Sequence, residues 1–117
     1  MISIYQILLT DEDIIKINAR GFEAVPAMMV KNRMGLGFKS SKFTEDYLQF
    51  YTRVYEVDTD DLDEAFEFTN LWEDEDKVHR FVRGTSTSVG DIFVKDGNCY
   101  VVDTFGFTDI GKFEGMN

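Results

Sequence analysis

At 117 residues the chain suits one domain, 1–117, large enough to bury a core without metal or disulfide staples. Lys and Arg number 12 against 22 Asp and Glu, and the resulting charge of −10 repels phosphate backbones and anionic membrane surfaces. The single Cys99 excludes an internal disulfide and fits a reducing, cytoplasmic setting, and no apolar run is long enough to span a bilayer.

Met1–Leu9 is apolar but lacks a basic lead and runs into Asp11-Glu12-Asp13, so it does not read as a signal peptide. Its β-branched and aromatic content predicts a strand over Ser3–Leu9. Thr10 then stands as an N-cap before three acids, which the helix dipole favours in a first turn. A short amphipathic helix carrying Ile14, Ile15 and Ile17 should end at Gly21. The stretch from Phe22 to Phe43 holds Pro26, Met28, Met29, Met34 and the basic residues Lys31, Arg33, Lys39 and Lys42. A helix over Ala27–Asn32 followed by a loop at Gly35-Leu36-Gly37 fits it. Its methionines read as gap-filling core residues, the alternative being an adaptable binding surface over Met28–Phe38.

Tyr47–Val57 reads as a strand covered on one side by helix. Leu48, Phe50, Thr52 and Val54 would take one face and Tyr47, Tyr51, Tyr55 and Val57 the other. Asp58-Thr59-Asp60-Asp61 caps a second helix, on which Leu62, Ala65, Phe66 and Thr69 recur at helical spacing. Leu62, Phe66 and Phe50 are expected to share one core. A short strand over Val78–Val82 and a hydroxyl-rich turn at Thr85–Ser88 follow. Asp96-Gly97 between Asp91–Lys95 and Asn98–Asp103 is the strongest local signal, a two-residue hairpin turn. It pairs Phe93 with Tyr100 and puts Ile92, Val94, Cys99 and Val101 on the opposite face. Gly106 suggests a bend at a close approach, Thr108–Ile110 a last strand, and Lys112–Asn117 a fraying tail. The sum is an α+β fold, an antiparallel sheet of about four to five strands with two main helices.

Between Glu56 and Asp76 lie eleven acids and no base. Asp60, Asp63, Glu64, Glu67, Glu73, Asp74, Glu75 and Asp76 are the candidate partner-binding residues, suited to a basic protein surface or to imitating a nucleic-acid backbone. The ordinary alternative is a solvated helix face with dipole-matched acids. The run Glu73–Asp76 adds mutual repulsion without capping value, which that alternative does not explain. An EF-hand counted from Asp58 fails, since Asp63 and Thr69 stand where Gly and Glu are needed. One histidine, His79, and one cysteine do not make a zinc cluster or a catalytic triad, and Cys99 on a sheet face reads as a small hydrophobe. No catalytic residue, cofactor or metal is therefore assigned. Gly84–Gly90 has the donors of a phosphate loop without its Lys, and turn-forming hydroxyls account for it more simply.

Ser88-Val89-Gly90-Asp91-Ile92, Asp96-Gly97 and Tyr100-Val101-Val102-Asp103-Thr104-Phe105-Gly106-Phe107 together resemble the C-terminal segment of YodL-like domains. Val54-Tyr55-Glu56-Val57, with Asp60-Asp61-Leu62 and Phe66, is similar to stretches of small uncharacterised proteins of tailed phages and mobile elements. These stretches cover about half the chain and transfer no functional residue. The resemblance implies a phage or mobile-element protein acting inside a bacterial cell. On that footing the expected function is a non-enzymatic accessory protein that binds a host defence or transcription component through its acidic face. A small-ligand or RNA-binding module using the 85–91 loop and the C-terminal hairpin is the alternative, and a structural or packaging accessory a third.

Overall fold

The structure, a computed structural model, describes residues 1–35 and 43–116. Lys39, Lys42 and the part of the expected loop beyond Gly35 lie outside them.

Six strands, all paired antiparallel, form one sheet: β1 (Ile2–Ile7), β2 (Tyr51–Val57), β3 (Val78–Arg80), β4 (Ile92–Lys95), β5 (Asn98–Val102) and β6 (Phe107–Lys112). Their spatial order is β3-β2-β1-β4-β5-β6. β1 is central, and all six of its residues are buried, as an apolar strand flanked on both sides should be. The α+β class stands, with a strand more than expected.

Three α-helices lie among the described residues, α1 (Asp11–Arg20), α2 (Pro26–Gly35) and α3 (Leu62–Leu71). Thr10 caps α1 in a reciprocal box: its hydroxyl accepts from Asp13 N–H, and the Asp13 carboxylate accepts from Thr10 N–H. Gly21 ends the helix at φ +85°. α2 is longer than predicted at both ends, with Pro26 as its first residue, where a missing N–H costs nothing. Asp61 caps α3 by accepting from Glu64 N–H at 3.0 Å.

The sheet carries a hydrophobic cluster on each face. α2 supplies Val30 and Met34 to the first, with Tyr5, Ile7, Tyr51, Ile92 and Val101. α3 supplies Ala65 to the second, with Ile4, Tyr55, Phe93 and Val102, while Leu62, Phe66 and Trp72 pack at its margin. The Met-rich stretch thus divides: Met34 is core and Met29 is exposed.

The β2 region corrects the sequence reading twice. Glu45–Phe50 is a 3-10 helix, and the strand starts only at Tyr51. Tyr47, Leu48 and Phe50 all pack on the first cluster. A turn lays neighbouring apolar residues on one face, where a strand would alternate them. Within β2, Tyr55 faces Ile4 and Arg53 faces Tyr5, so Val54 is an extra, bulged residue. The bulge reverses the alternation, sending Tyr51 to one face and Tyr55 and Val57 to the other. Phe50 therefore does not share a core with Leu62 and Phe66.

The Asp96-Gly97 turn has φ of +51° and +78°, the two positive values of a type I′ turn, and pairs Lys95 with Asn98 and Phe93 with Tyr100 as predicted. Gly106 is a turn residue at φ +75° with open space about it, not a point of close approach. The tail is anchored: Phe113 meets Phe43 with ring centroids 5.7 Å apart, and Met116 packs on the first cluster.

Candidate functional site

Strand order dictates the first feature. β3 lies at one edge and β4 beyond β1, so residues 81–91 must cross the end of the sheet where β1 finishes and β2 begins. A crossing segment has no ladder partner, and its polar groups need others. Gln6 provides them. Its Nε2 donates to Thr85 O at 3.0 Å and to Asp91 Oδ2 at 2.9 Å, and its Oε1 accepts from Thr85 N–H at 3.0 Å. Tyr55 Oη donates to Thr85 O, and Thr87 Oγ1 meets Thr69 Oγ1 at 2.7 Å and accepts from Asn70 Nδ2 at 2.8 Å. Gly84 leaves room for these bonds, since a Cβ there would stand 2.7 Å from Gln6 Oε1 and from Tyr55 Oη and would push them aside.

The segment is therefore a strap, bonded to the sheet and to α3. Its Thr85 and Ser88 N–H groups are taken up by Gln6 and Asp91 and do not converge on an outside anion, as a phosphate loop requires. Asp91, 7% exposed, accepts from Gln6 and from Ser88 N–H at 3.0 Å. Burial pushes its pKa up to about 6, against the opposing pull of Ser88 N–H, Gln6 and the Lys31 charge. Sequence reasoning does not single out Gln6, and it reaches Asp91 only as the end of the 85–91 loop. The available signal was an amide in the middle of an otherwise apolar strand, Ile4-Tyr5-Gln6-Ile7, which demands a buried partner.

The eight candidate acids are all exposed, and the fold groups them unequally. Asp60 precedes α3 and accepts a hydrogen bond from the Met1 amine at 2.6 Å, which holds its pKa below the usual value. Asp63, Glu64 and Glu67 lie on α3, Asp63 beside a hollow that also takes in Phe66 and Phe107. Glu67, Glu73 and Asp74 line a cleft of about 120 Å³ together with Phe68 and Leu71, and Leu71 is 58% exposed. Trp72 turns the chain at the end of α3 in the left-handed region, φ +58°, and this brings Glu73 and Asp74 back beside Glu67. Glu75 pairs with Arg80 at 3.4 Å, and Arg80 stacks over Trp72 at 4.4 Å. Among the described residues no cation lies within 4.0 Å of Asp63, Glu64, Glu67, Glu73, Asp74 or Asp76.

Cys99 is fully buried on the first-cluster face, and burial pushes its thiol pKa up, opposite to the shift a nucleophile needs. His79 is exposed on edge strand β3, opposite Glu56. Among the described residues, no three His, Cys, Asp or Glu side chains are placed to hold a metal ion, and no helix is long and apolar enough to cross a membrane. Comparison with family models, curated proteins and solved structures finds no match to this chain.

Proposed function

We propose that the chain is a binding protein that docks on a basic protein surface through α3 and the turn that follows it. One observation carries this reading: exposed Leu71 lines one cleft with Glu67, Glu73 and Asp74, and among the described residues no cation lies within 4.0 Å of the three acids. An apolar contact ringed by unbalanced charge has the make-up of an interface, with an anchor at the centre and a polar rim that steers. Arg and Lys of the partner would surround an aliphatic or aromatic side chain seated on Leu71. Asp60 contributes least, being engaged by Met1, and Glu75 is shared with Arg80. The YodL-like resemblance supplies a setting, in which the partner is a host defence or transcription component and the protein acts by contact without turnover.

The test is affinity capture from a bacterial lysate, followed by binding of the captured protein across a salt series. Affinity for the wild type should fall steeply with salt, because exposed charges are screened beyond about 8–10 Å near physiological ionic strength. Neutralising Glu73, Asp74, Glu75 and Asp76 to their amides should weaken binding, flatten the salt dependence and leave the fold intact. Leu71→Ser should weaken binding while keeping the salt slope. A partner that binds the neutralised variant as tightly as the wild type would refute the acidic face.

A further inference from the structure

On the other face, where α2 passes the end of β1 and meets the strap, lies a cavity of about 390 Å³. Its size is within the range of small-molecule sites, roughly 300–1,000 Å³. Ile7 and Met34 give it apolar lining, and Asp91 and Lys31 line it with opposite charges. Its wall is rigidly built. Tyr51 Oη donates to Gly90 O at 2.5 Å, and Gly90, at φ +96°, approaches so closely that a Cβ would stand 3.0 Å from the Met34 backbone.

Neither charge has its bonding capacity filled by protein groups among the described residues. Asp91 receives both of its hydrogen bonds, from Gln6 and Ser88, on Oδ2, and no donor among the described residues reaches Oδ1. Nor is Oδ1 sealed in protein, because Arg53 Nε is the lone fully buried side-chain polar atom without a partner among the described residues. Lys31 Nζ donates to Ile7 O at 3.1 Å, using one of the three donors of an ammonium group. Lys31 is near enough for its charge to act on Asp91, yet no ion pair within 4.0 Å joins them. An anion and a cation held apart across one cavity, each with bonding capacity left, match a ligand that carries both complementary charges. A simple anion would meet the field of a −10 protein, and a simple cation would leave Lys31 unanswered.

We propose that this cavity binds a small zwitterion of the free amino acid class, its ammonium group on Asp91 Oδ1 and its carboxylate on Lys31 Nζ. The site does not depend on the acidic face. Binding weakens as the pH falls through about 6, where Asp91 takes up a proton. The other groups that face Asp91 do not cancel this. Lys31 faces it from α2, and Gln6, from β1, does not titrate. The Tyr51 and Tyr55 hydroxyls, from β2, are pushed up chiefly by burial and stay neutral.

The experiment is an amide-shift titration of the isotope-labelled protein with the standard free L-amino acids, with methylammonium and acetate as half-molecule controls. At least one amino acid should give saturable shifts at Ser88, Gly90 and Asp91, with both controls about tenfold weaker or more. Asp91→Asn separates binding from folding. Its amide oxygen still accepts from Gln6 and Ser88, while an NH2 donor replaces Oδ1. The variant should keep the wild-type spectrum elsewhere and lose about tenfold or more in affinity. Lys31→Gln should do the same from the other wall and serves if Asp91→Asn does not fold. No saturable shift with any amino acid at tens of millimolar would overturn the proposal. So would equal affinity in both variants, or methylammonium binding as tightly as the best amino acid.

Discussion

α1 and α3 are each ten residues long, each begins at a side-chain cap and each carries an apolar stripe, yet only one is part of the core. α3 buries Ala65 and Thr69 completely, lays Leu62 and Phe66 on the second cluster and is bonded through Thr69 and Asn70 to Thr87 of the strap. α1 buries no residue, rests on the short 3-10 turn Phe22–Ala24 and leaves Ile14 and Ile15 46% and 67% exposed. Caps and periodicity decide that a helix forms. Whether it joins the core depends on what the rest of the chain brings beside it.

The largest effect that should separate the two helices is a truncation on each apolar face. Phe66→Ala should destabilise by about 2–4 kcal/mol in a denaturant melt, at or below the range for a fully buried ring because Phe66 is only partly buried. Ile15→Ser should change the midpoint by less than about 0.5 kcal/mol. Equal losses would mean that α1 packs as α3 does.

Next comes the strap, whose ionisable anchor is Asp91. Its pKa is about 6 when folded and 3.8 in the ordinary case, so the folded state holds the proton more tightly. Below about pH 4 both states are protonated. Between about 4 and 6 the unfolded chain releases its proton first, and stability falls as pH rises. The loss is on the order of 3 kcal/mol and is complete above pH 6. The difference between wild-type and Asp91→Asn melts across this window isolates that contribution from the exposed carboxylates. A difference independent of pH would show that the carboxylate is not held in the interior.

The smallest effects are at the caps. Asp61→Ala should cost about 1 kcal/mol of global stability, since α3 unfolds with the sheet it covers. Thr10→Ala should leave the global midpoint within about 0.5 kcal/mol and speed hydrogen exchange only in residues 11–20, since α1 can open alone. Global loss on Thr10→Ala would break the comparison.

Features governed by neighbours in the chain were legible beforehand. Thr10 as a cap, a cap within Asp58–Asp61, Gly21, and the Asp96-Gly97 hairpin with its register depend on a few consecutive residues whose backbone preferences agree, while the Thr10–Asp13 box and the choice of Asp61 came from the structure. The acidic run was visible too, and only the left-handed turn at Trp72 sets Glu73 and Asp74 beside Glu67 and Leu71. The Val54 bulge escaped the reading because an alternating pattern shows no sign of one inserted residue, and a single insertion moves Tyr51 to the opposite face from Tyr55. The polar centre escaped it as well. Gln6 and Asp91 are 85 positions apart, and nothing local to either names the other. Short-range preferences thus wrote the caps, the hairpin and the charge into the sequence. The strap, the bulge and the cavity between Lys31 and Asp91 follow from a strand order that carries residues 81–91 across the end of the sheet, where buried polar groups must find partners from distant parts of the chain.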